Sequence, residues 1–169
     1  MTADQVTIRP ATQRDAEAVG RMAIEFQQYI DGLGDEPWES TSAKLTAEVF
    51  LRHGFGERPW FFGLIAELQG EPAGYLLYHF GYWTDDALPT LHVADLFVRE
   101  PMRGKRVGSS LMAEAARILS AHGGKMLLWT VWDRNKAGMA FYEGLGAEFF
   151  AEERLMRWTA DRWPELARD

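Results

Sequence analysis

The chain has 169 residues, 47% of them hydrophobic, enough for one domain with a real core. It carries 25 acidic against 18 basic side chains, a formal charge of −7, which argues against general nucleic-acid binding and suits a cationic small-molecule partner. There is no cysteine, which excludes disulfides, thiolate metal sites and a cysteine nucleophile, and no apolar run of about 18 residues that would cross a membrane. The first residues lack a basic segment followed by an apolar one, so no secretory signal is expected and the cytoplasm is the expected compartment.

Residues 6–9 alternate as a short strand, closed by Pro10. Thr12 with Asp15 three residues on reads as a capping box, and Ala16, Val19, Met22, Ala23, Phe26 and Ile30 share one face of the helix it opens. Gly32-Leu-Gly34-Asp-Glu-Pro37 breaks that helix; a second is expected over 42–52, stopping near Gly54. Residues 60–67 and 73–80 are aromatic and aliphatic strands joined by a hairpin turn at Gln69-Gly70-Glu71-Pro72. After a polar loop at 84–89 comes a strand over 91–98, then a tight turn and a helix marked by Val107, Leu111, Ala115, Ile118 and Leu119, ending at Gly123-Gly124. A strand over 126–131, a short helix over 135–144 and a final strand over 153–158 follow. No repeat or linker interrupts this order, which predicts a mixed α/β (α+β) sheet in a single domain over 1–169, with a parallel, right-handed strand–helix–strand unit.

The turn inside that unit, Arg103-Gly104-Lys105-Arg106-Val107-Gly108-Ser109, is the most informative stretch. A glycine-containing turn running into a helix aims backbone N–H groups and the positive end of the helix dipole at one spot, a site for a di- or triphosphate. A Walker loop needs Gly-Lys followed by Ser or Thr, and Lys105 is followed by Arg106. A dinucleotide loop needs three glycines in G-x-G-x-x-G spacing, and only Gly104 and Gly108 are present. What remains, Arg103-x-x-Arg106-x-Gly108, resembles the coenzyme A turn of the GNAT acyltransferases, R/Q-x-x-G-x-G/A. A second stretch, Asn135-Lys-Ala-Gly-Met-Ala-Phe-Tyr142-Glu-Gly-Leu-Gly146, is similar to that family's asparagine–tyrosine–glycine signature. Ile8-Arg9-Pro10-Ala11-Thr12 is similar to its opening strand.

A narrower likeness, to the diamine (spermidine/spermine) N1-acetyltransferase branch, rests on Gly54-Phe-Gly-Glu-Arg-Pro59-Trp60, Tyr78-His-Phe80-Gly-Tyr82 and Asp95-Leu-Phe97-Val98-Arg99. The branch acts on polyamines, thialysine or related lysine-like amines. Two positions depart from the pattern: Arg106 stands where the family usually has glycine, and Ala94 where the diamine enzymes have a glutamate associated with relaying the amine proton. The resemblance implies a single GNAT-type domain that uses acetyl-CoA as co-substrate, with no metal and no membrane or nucleic-acid partner. It also implies a homodimer and acetyl transfer to the primary amine of a small cationic acceptor. A non-catalytic acyl-CoA-binding module and a peptide N-terminal acetyltransferase are the alternative readings of the same fold.

Amine acetylation needs a neutral nucleophile, a stabilised oxyanion and a proton for the leaving thiolate. Tyr142 is the expected general acid. Arg103, Gly104, Lys105, Arg106, Val107, Gly108 and Ser109 are expected at the coenzyme phosphates, mostly through backbone N–H groups. Leu96, Phe97 and Val98 are expected along the pantetheine arm through their backbone, and Asn135 near the thiol end, with helix capping as an equally good role for it. The base is open: His92 titrates near neutrality and, by plain alternation, shares a face with Ala94, whereas Asp95 points to the opposite one. A structurally hydrogen-bonded His92 is the other reading. Glu25, Tyr82, Trp83 and Asp95 are the candidates for holding the acceptor, the aromatics by cation–π contact.

Overall fold

The structure, a computed structural model, describes residues 5–34, 44–150 and 153–159. Its elements run β1 (Val6–Pro10), α1 (Ala16–Asp31), α2 (Ala47–Gly54), β2 (Phe62–Leu68), β3 (Glu71–Trp83), β4 (Leu88–Val98), α3 (Val107–Ala121), β5 (Met126–Leu128) and α4 (Lys136–Gly144). The five strands form one sheet in sequential order. β1 to β4 are antiparallel neighbours, and β5 pairs with β4 in parallel after the α3 crossover. Pairing to β4 extends β3 through Trp83, so the polar loop at 84–89 shrinks to a tight connection.

Alternation along the strands divides the core between two faces. Leu64, Ala66, Leu76, Leu91 and Val93 pack against Val107, Leu111, Ala115 and Leu119 of α3. Ile65, Tyr75, Leu77 and Phe97 pack on the other face against Val19 and Met22 of α1 and Phe50 of α2. The capping-box pair also holds the edge of the sheet. Asp15 accepts from the Thr12 backbone N–H at 2.7 Å and hydroxyl at 2.9 Å, and from Arg9 Nη2 at 2.7 Å. Arg9 Nε donates to Glu67 Oε1 at 2.9 Å, linking β1 to β2 by side chains as well as by the ladder.

Three expectations change. β5 stops at Leu128, because β4 pairs with it only at Thr90, Leu91 and His92 and the ladder ends there. The expected strand over 153–158 is absent from the sheet. Leu155 and Met156 are adjacent apolar residues that break the alternation, and both are exposed, at 85% and 89%. The second helix starts at Ala47, capped by the Thr46 hydroxyl accepting from Val49 N–H at 3.2 Å; the expected start near residue 42 lies outside the described residues.

Candidate active site

The site follows from two irregularities in β4. The first is a bulge: Leu77 pairs with Asp95 while Tyr78 pairs with Val93, so Ala94 is an extra residue without a cross-strand partner in β3. The bulge shifts the phase of the strand. Leu91 and Val93 face α3 before it, and Leu96 and Val98 do so after it, which turns Asp95 and Phe97 toward α1. The face assignment from plain alternation is therefore corrected: Ala94 and Asp95 line the same cleft, and His92 does not share it. The sequence carries a signal for this slip, since the apolar positions change from odd (Leu91, Val93) to even (Leu96, Val98) across Ala94-Asp95.

The second irregularity is the end of pairing. Beyond His92 no strand among the described residues pairs with β4 on its β5 side. The space between 93–96 of β4 and 129–132 is a cleft of about 380 Å³. A second cleft, of about 370 Å³, runs from Leu96, Phe97 and Val98 to the turn before α3. The two share Phe26, Leu96, Asn135 and Tyr142, so Tyr142 stands where they meet. Clefts at the carboxyl ends of parallel strands are where open α/β sheets place ligands.

The turn side of the larger arrangement is shaped for an anion. Gly104 has φ +74° and Arg106 φ +66°, the left-handed region, and α3 begins directly after Arg106. The first N–H groups of a helix have no acceptor within it, so those of Val107, Gly108 and Ser109 remain for a ligand, and all three residues line the cleft. Arg103 and Arg106 line it too, while Lys105 stands exposed in the turn outside that lining. A Cβ on Gly108 would meet the Phe141 ring at 3.1 Å, so glycine lets the helix start sit close against α4.

Asn135 caps α4: its Oδ1 accepts from Gly138 N–H at 2.9 Å and from the Tyr29 hydroxyl at 2.8 Å. That second bond ties the end of α1 to the start of α4 across the cleft. Arg103 adds its guanidinium over the Tyr29 ring, 4.6 Å from the centroid, and donates from Nε to the Val98 carbonyl at 3.2 Å.

Tyr142 packs against Trp129, ring centroids 4.9 Å apart, and against Phe141 at 5.1 Å. Burial, together with the charge of Asp95, pushes its phenol up to about 12. Asp95 accepts a 2.7 Å hydrogen bond from the hydroxyl of Tyr75, a fully buried residue of β3. Burial pushes the Asp95 carboxyl up to about 6, against the opposing pull of the Tyr75 hydrogen bond and one from the Leu96 backbone. Nothing in the spacing of Tyr75 marks it for this contact; only the pairing of β3 with the bulged β4 brings it there.

The other expected residues lie apart. His92 lines neither cleft. It stacks on His79 of β3, centroids 4.9 Å apart, and burial and that neighbour hold its pKa below the usual histidine value. Glu25 lines neither cleft and forms a two-pronged ion pair with Arg99, closest approach 2.9 Å. Tyr82 and Trp83 sit at the far end of the β3–β4 hairpin, Tyr82 exposed and Trp83 stacked on Phe150 at 5.6 Å. Among the described residues no group of three or more His, Cys, Asp or Glu side chains is arranged to hold a metal ion, and no helix is long and apolar enough to cross a membrane.

An anion-cradling turn, a splayed parallel strand pair and a phenol at the junction of two clefts fit a group-transfer enzyme with a phosphate-bearing co-substrate. Residues 24–147 match the acetyltransferase (GNAT) family, and the chain belongs to it. It is 32% identical to the thialysine N-epsilon-acetyltransferase of Bos taurus, in an alignment covering 96% of this chain and 97% of that protein, and the chain is an N-acetyltransferase. It is also 31% identical to spermidine/spermine N(1)-acetyltransferase-like protein 1 of Homo sapiens over 97% of this chain and 24% of that much longer protein. An integron cassette protein of V. cholerae has the same fold, with TM-score 0.76 at 22% identity, covering 97% of this chain and 98% of the other.

Proposed function

We propose that the chain transfers an acetyl group from acetyl-CoA to the primary amine of a small cationic acceptor, by direct attack of the amine. The observation that carries this reading is the meeting of two clefts at Tyr142, one bordered by the anion-cradling turn and the other by Asp95. The residues present suit the coenzyme. Backbone N–H groups of Val107, Gly108 and Ser109, with Arg103 and Arg106, would hold its phosphates, and the edge of β4 at Leu96 to Val98, along which no described strand pairs, would take its amide-bearing arm. When bound it supplies an activated thioester, whose acetyl carbon exchanges sulfur for the amine nitrogen.

Tyr142 Oη holds the proton that the sulfur takes up. A phenol near 12 stays protonated at neutral pH, so the proton is present whenever it is needed. The acceptor side offers one carboxylate among the described lining residues, Asp95, with Phe26, Ile30, Trp129, Val131 and Trp132 forming apolar and aromatic walls. One anionic point with an apolar surround suits an ammonium on a short methylene or thioether chain, and the thialysine enzyme among the relatives supports that class over longer polyamines. The reading goes with a cytoplasmic homodimer; the exposed Leu155, Met156 and Trp158 near the end of the chain support a subunit contact.

The test is thiol release from acetyl-CoA against thialysine, lysine, other free amino acids, putrescine, spermidine, spermine, aminoglycosides and a short peptide. Turnover is expected on thialysine or a lysine-like amine; silence across the panel with acetyl-CoA bound would support the non-catalytic binding module instead. Exchange Tyr142→Phe is expected to lower turnover by about a hundredfold, with coenzyme affinity almost intact. Unchanged turnover would remove Tyr142 from the mechanism.

A further inference from the structure

We infer that Asp95 is the group that takes the proton from the acceptor's ammonium, and that Tyr75 is the positioning residue that holds its carboxylate for this. The inference rests on the amine-acetylation reading above and goes beyond it, since that reading leaves the base open. Position 94 holds alanine, so the residue at the bulge brings no titratable group. The bulge instead delivers the next residue, Asp95, into the acceptor cleft. Asp95 is the one carboxylate among the described residues lining that cleft.

Its surroundings are built to hold a charge in place. Tyr75 comes from the neighbouring strand, is fully buried, and gives its hydroxyl to Oδ2 at 2.7 Å. A donor fixed by the core leaves the carboxylate little freedom to rotate. The groups that face Asp95 are few. β3 contributes Tyr75, α4 contributes Tyr142, α1 presents the apolar Phe26 and Ile30, and the 129–132 segment presents Trp129, Thr130, Val131 and Trp132. Among the described residues the titratable groups facing it are therefore two tyrosines, both protonated at neutral pH, and neither competes for the proton.

The step is a simple exchange: the N–H bond of the ammonium breaks, an O–H bond forms on the Asp95 carboxyl, and a neutral amine with a free electron pair remains. It also prepares the next step. The charge of Asp95 is one of the two causes that raise the Tyr142 phenol, so a proton on Asp95 removes that cause and makes Tyr142 a readier donor. The proton arriving at one end of the site thus eases departure of the one needed at the other.

The experiment combines the pH dependence of kcat/KM with a direct titration of the Asp95 side-chain carbon by NMR, in the wild type, Tyr75→Phe and Asp95→Asn. The wild-type Asp95 signal is expected to titrate near 6, together with the acid limb of activity. Tyr75→Phe keeps the ring but removes the donated bond, and both midpoints are expected to move up by about one pH unit. Asp95→Asn is expected to lose about a hundredfold or more in kcat and its acid limb. Adding Tyr75→Phe to it is expected to change nothing further, since Tyr75 acts through Asp95. The inference is overturned if Asp95→Asn retains its turnover. It is also overturned if Tyr75→Phe lowers activity while leaving both midpoints in place, which would make Tyr75 a packing residue only. If the wild type acetylates no amine in the panel, the amine-acetylation reading fails first, and the NMR titration still reports whether Tyr75 governs Asp95.

Discussion

Arg106 occupies a left-handed conformation, φ +66°, at the start of α3. A side chain there costs about 1 kcal/mol or more relative to glycine, which explains why glycine suits the position. Arginine returns something for that strain, because Arg106 lines the anion side of the cleft and brings a positive charge to it. Exchange to glycine relieves the backbone but frees the unfolded chain, two effects of similar size and opposite sign. Arg106→Gly is therefore expected to leave the melting temperature within about 4 °C of wild type. Its coenzyme dissociation constant is expected to rise about fivefold, the equivalent of ~1 kcal/mol for an exposed charge-assisted contact. Calorimetric melting and direct titration with coenzyme A check the two halves separately; unchanged affinity would leave the phosphates to the backbone alone. This departure is visible in the sequence, because a motif with one misplaced residue announces itself. The contact of Tyr75 with Asp95 is not visible there, because it joins two strands through a register that a bulge decides.

At the scale of elements, β3 fixes where β4 presents its backbone, and Gly74 is the point of closest approach. A Cβ there would lie 2.5 Å from the carbonyl oxygen of Phe97 and 3.3 Å from Val98 Cα. Both neighbours are backbone, so β4 itself would have to move, at the stretch proposed to carry the coenzyme arm. Gly74→Ala is expected to cost about 2 kcal/mol, a fall of roughly 4–8 °C in melting temperature, and to weaken coenzyme binding in parallel. A variant with the lower melting point but normal coenzyme affinity would separate the sheet's stability from the strand's role. The existence of these elements was legible because the α3 residues Val107, Leu111, Ala115 and Leu119 repeat at helical spacing, and Leu91 to Val98 alternates on either side of the slip at Ala94-Asp95. Their ends were less legible. β3 gained Gly81 to Trp83 by pairing with β4, and β5 lost residues 129–131 because the parallel ladder ends at Leu128. That early ending opens the cleft between 93–96 and 129–132, the one proposed to take the acceptor.

Over the whole molecule, two aspartates pull the pH dependence of stability in opposite directions. Asp15 is held below its usual value, first by the Arg9 hydrogen bonds and further by Thr12. It contributes stability above its unfolded value of about 3.9 and loses it as pH falls through the folded one. Asp95 is raised to about 6, so the unfolded chain ionises it more readily than the folded chain does. It subtracts stability at pH above 6, by about 3 kcal/mol at most, and the deficit disappears as pH falls toward 4. His92, held below its usual value, works against that relief, since the unfolded chain gains its proton first as pH drops below about 6.5. Comparing wild type with Asp95→Asn cancels the Asp15 and His92 contributions, because both proteins carry them. The difference in unfolding free energy, from urea titrations between pH 4 and 8, is therefore expected to grow in the variant's favour by up to about 3 kcal/mol as pH rises. A difference that stays flat would mean that Asp95 ionises in the folded chain as easily as in the unfolded one, and a carboxylate so relaxed would be a weak proton acceptor. The same burial that costs the fold its stability at neutral pH is what brings Asp95 closer to the proton affinity of the amine it is proposed to deprotonate.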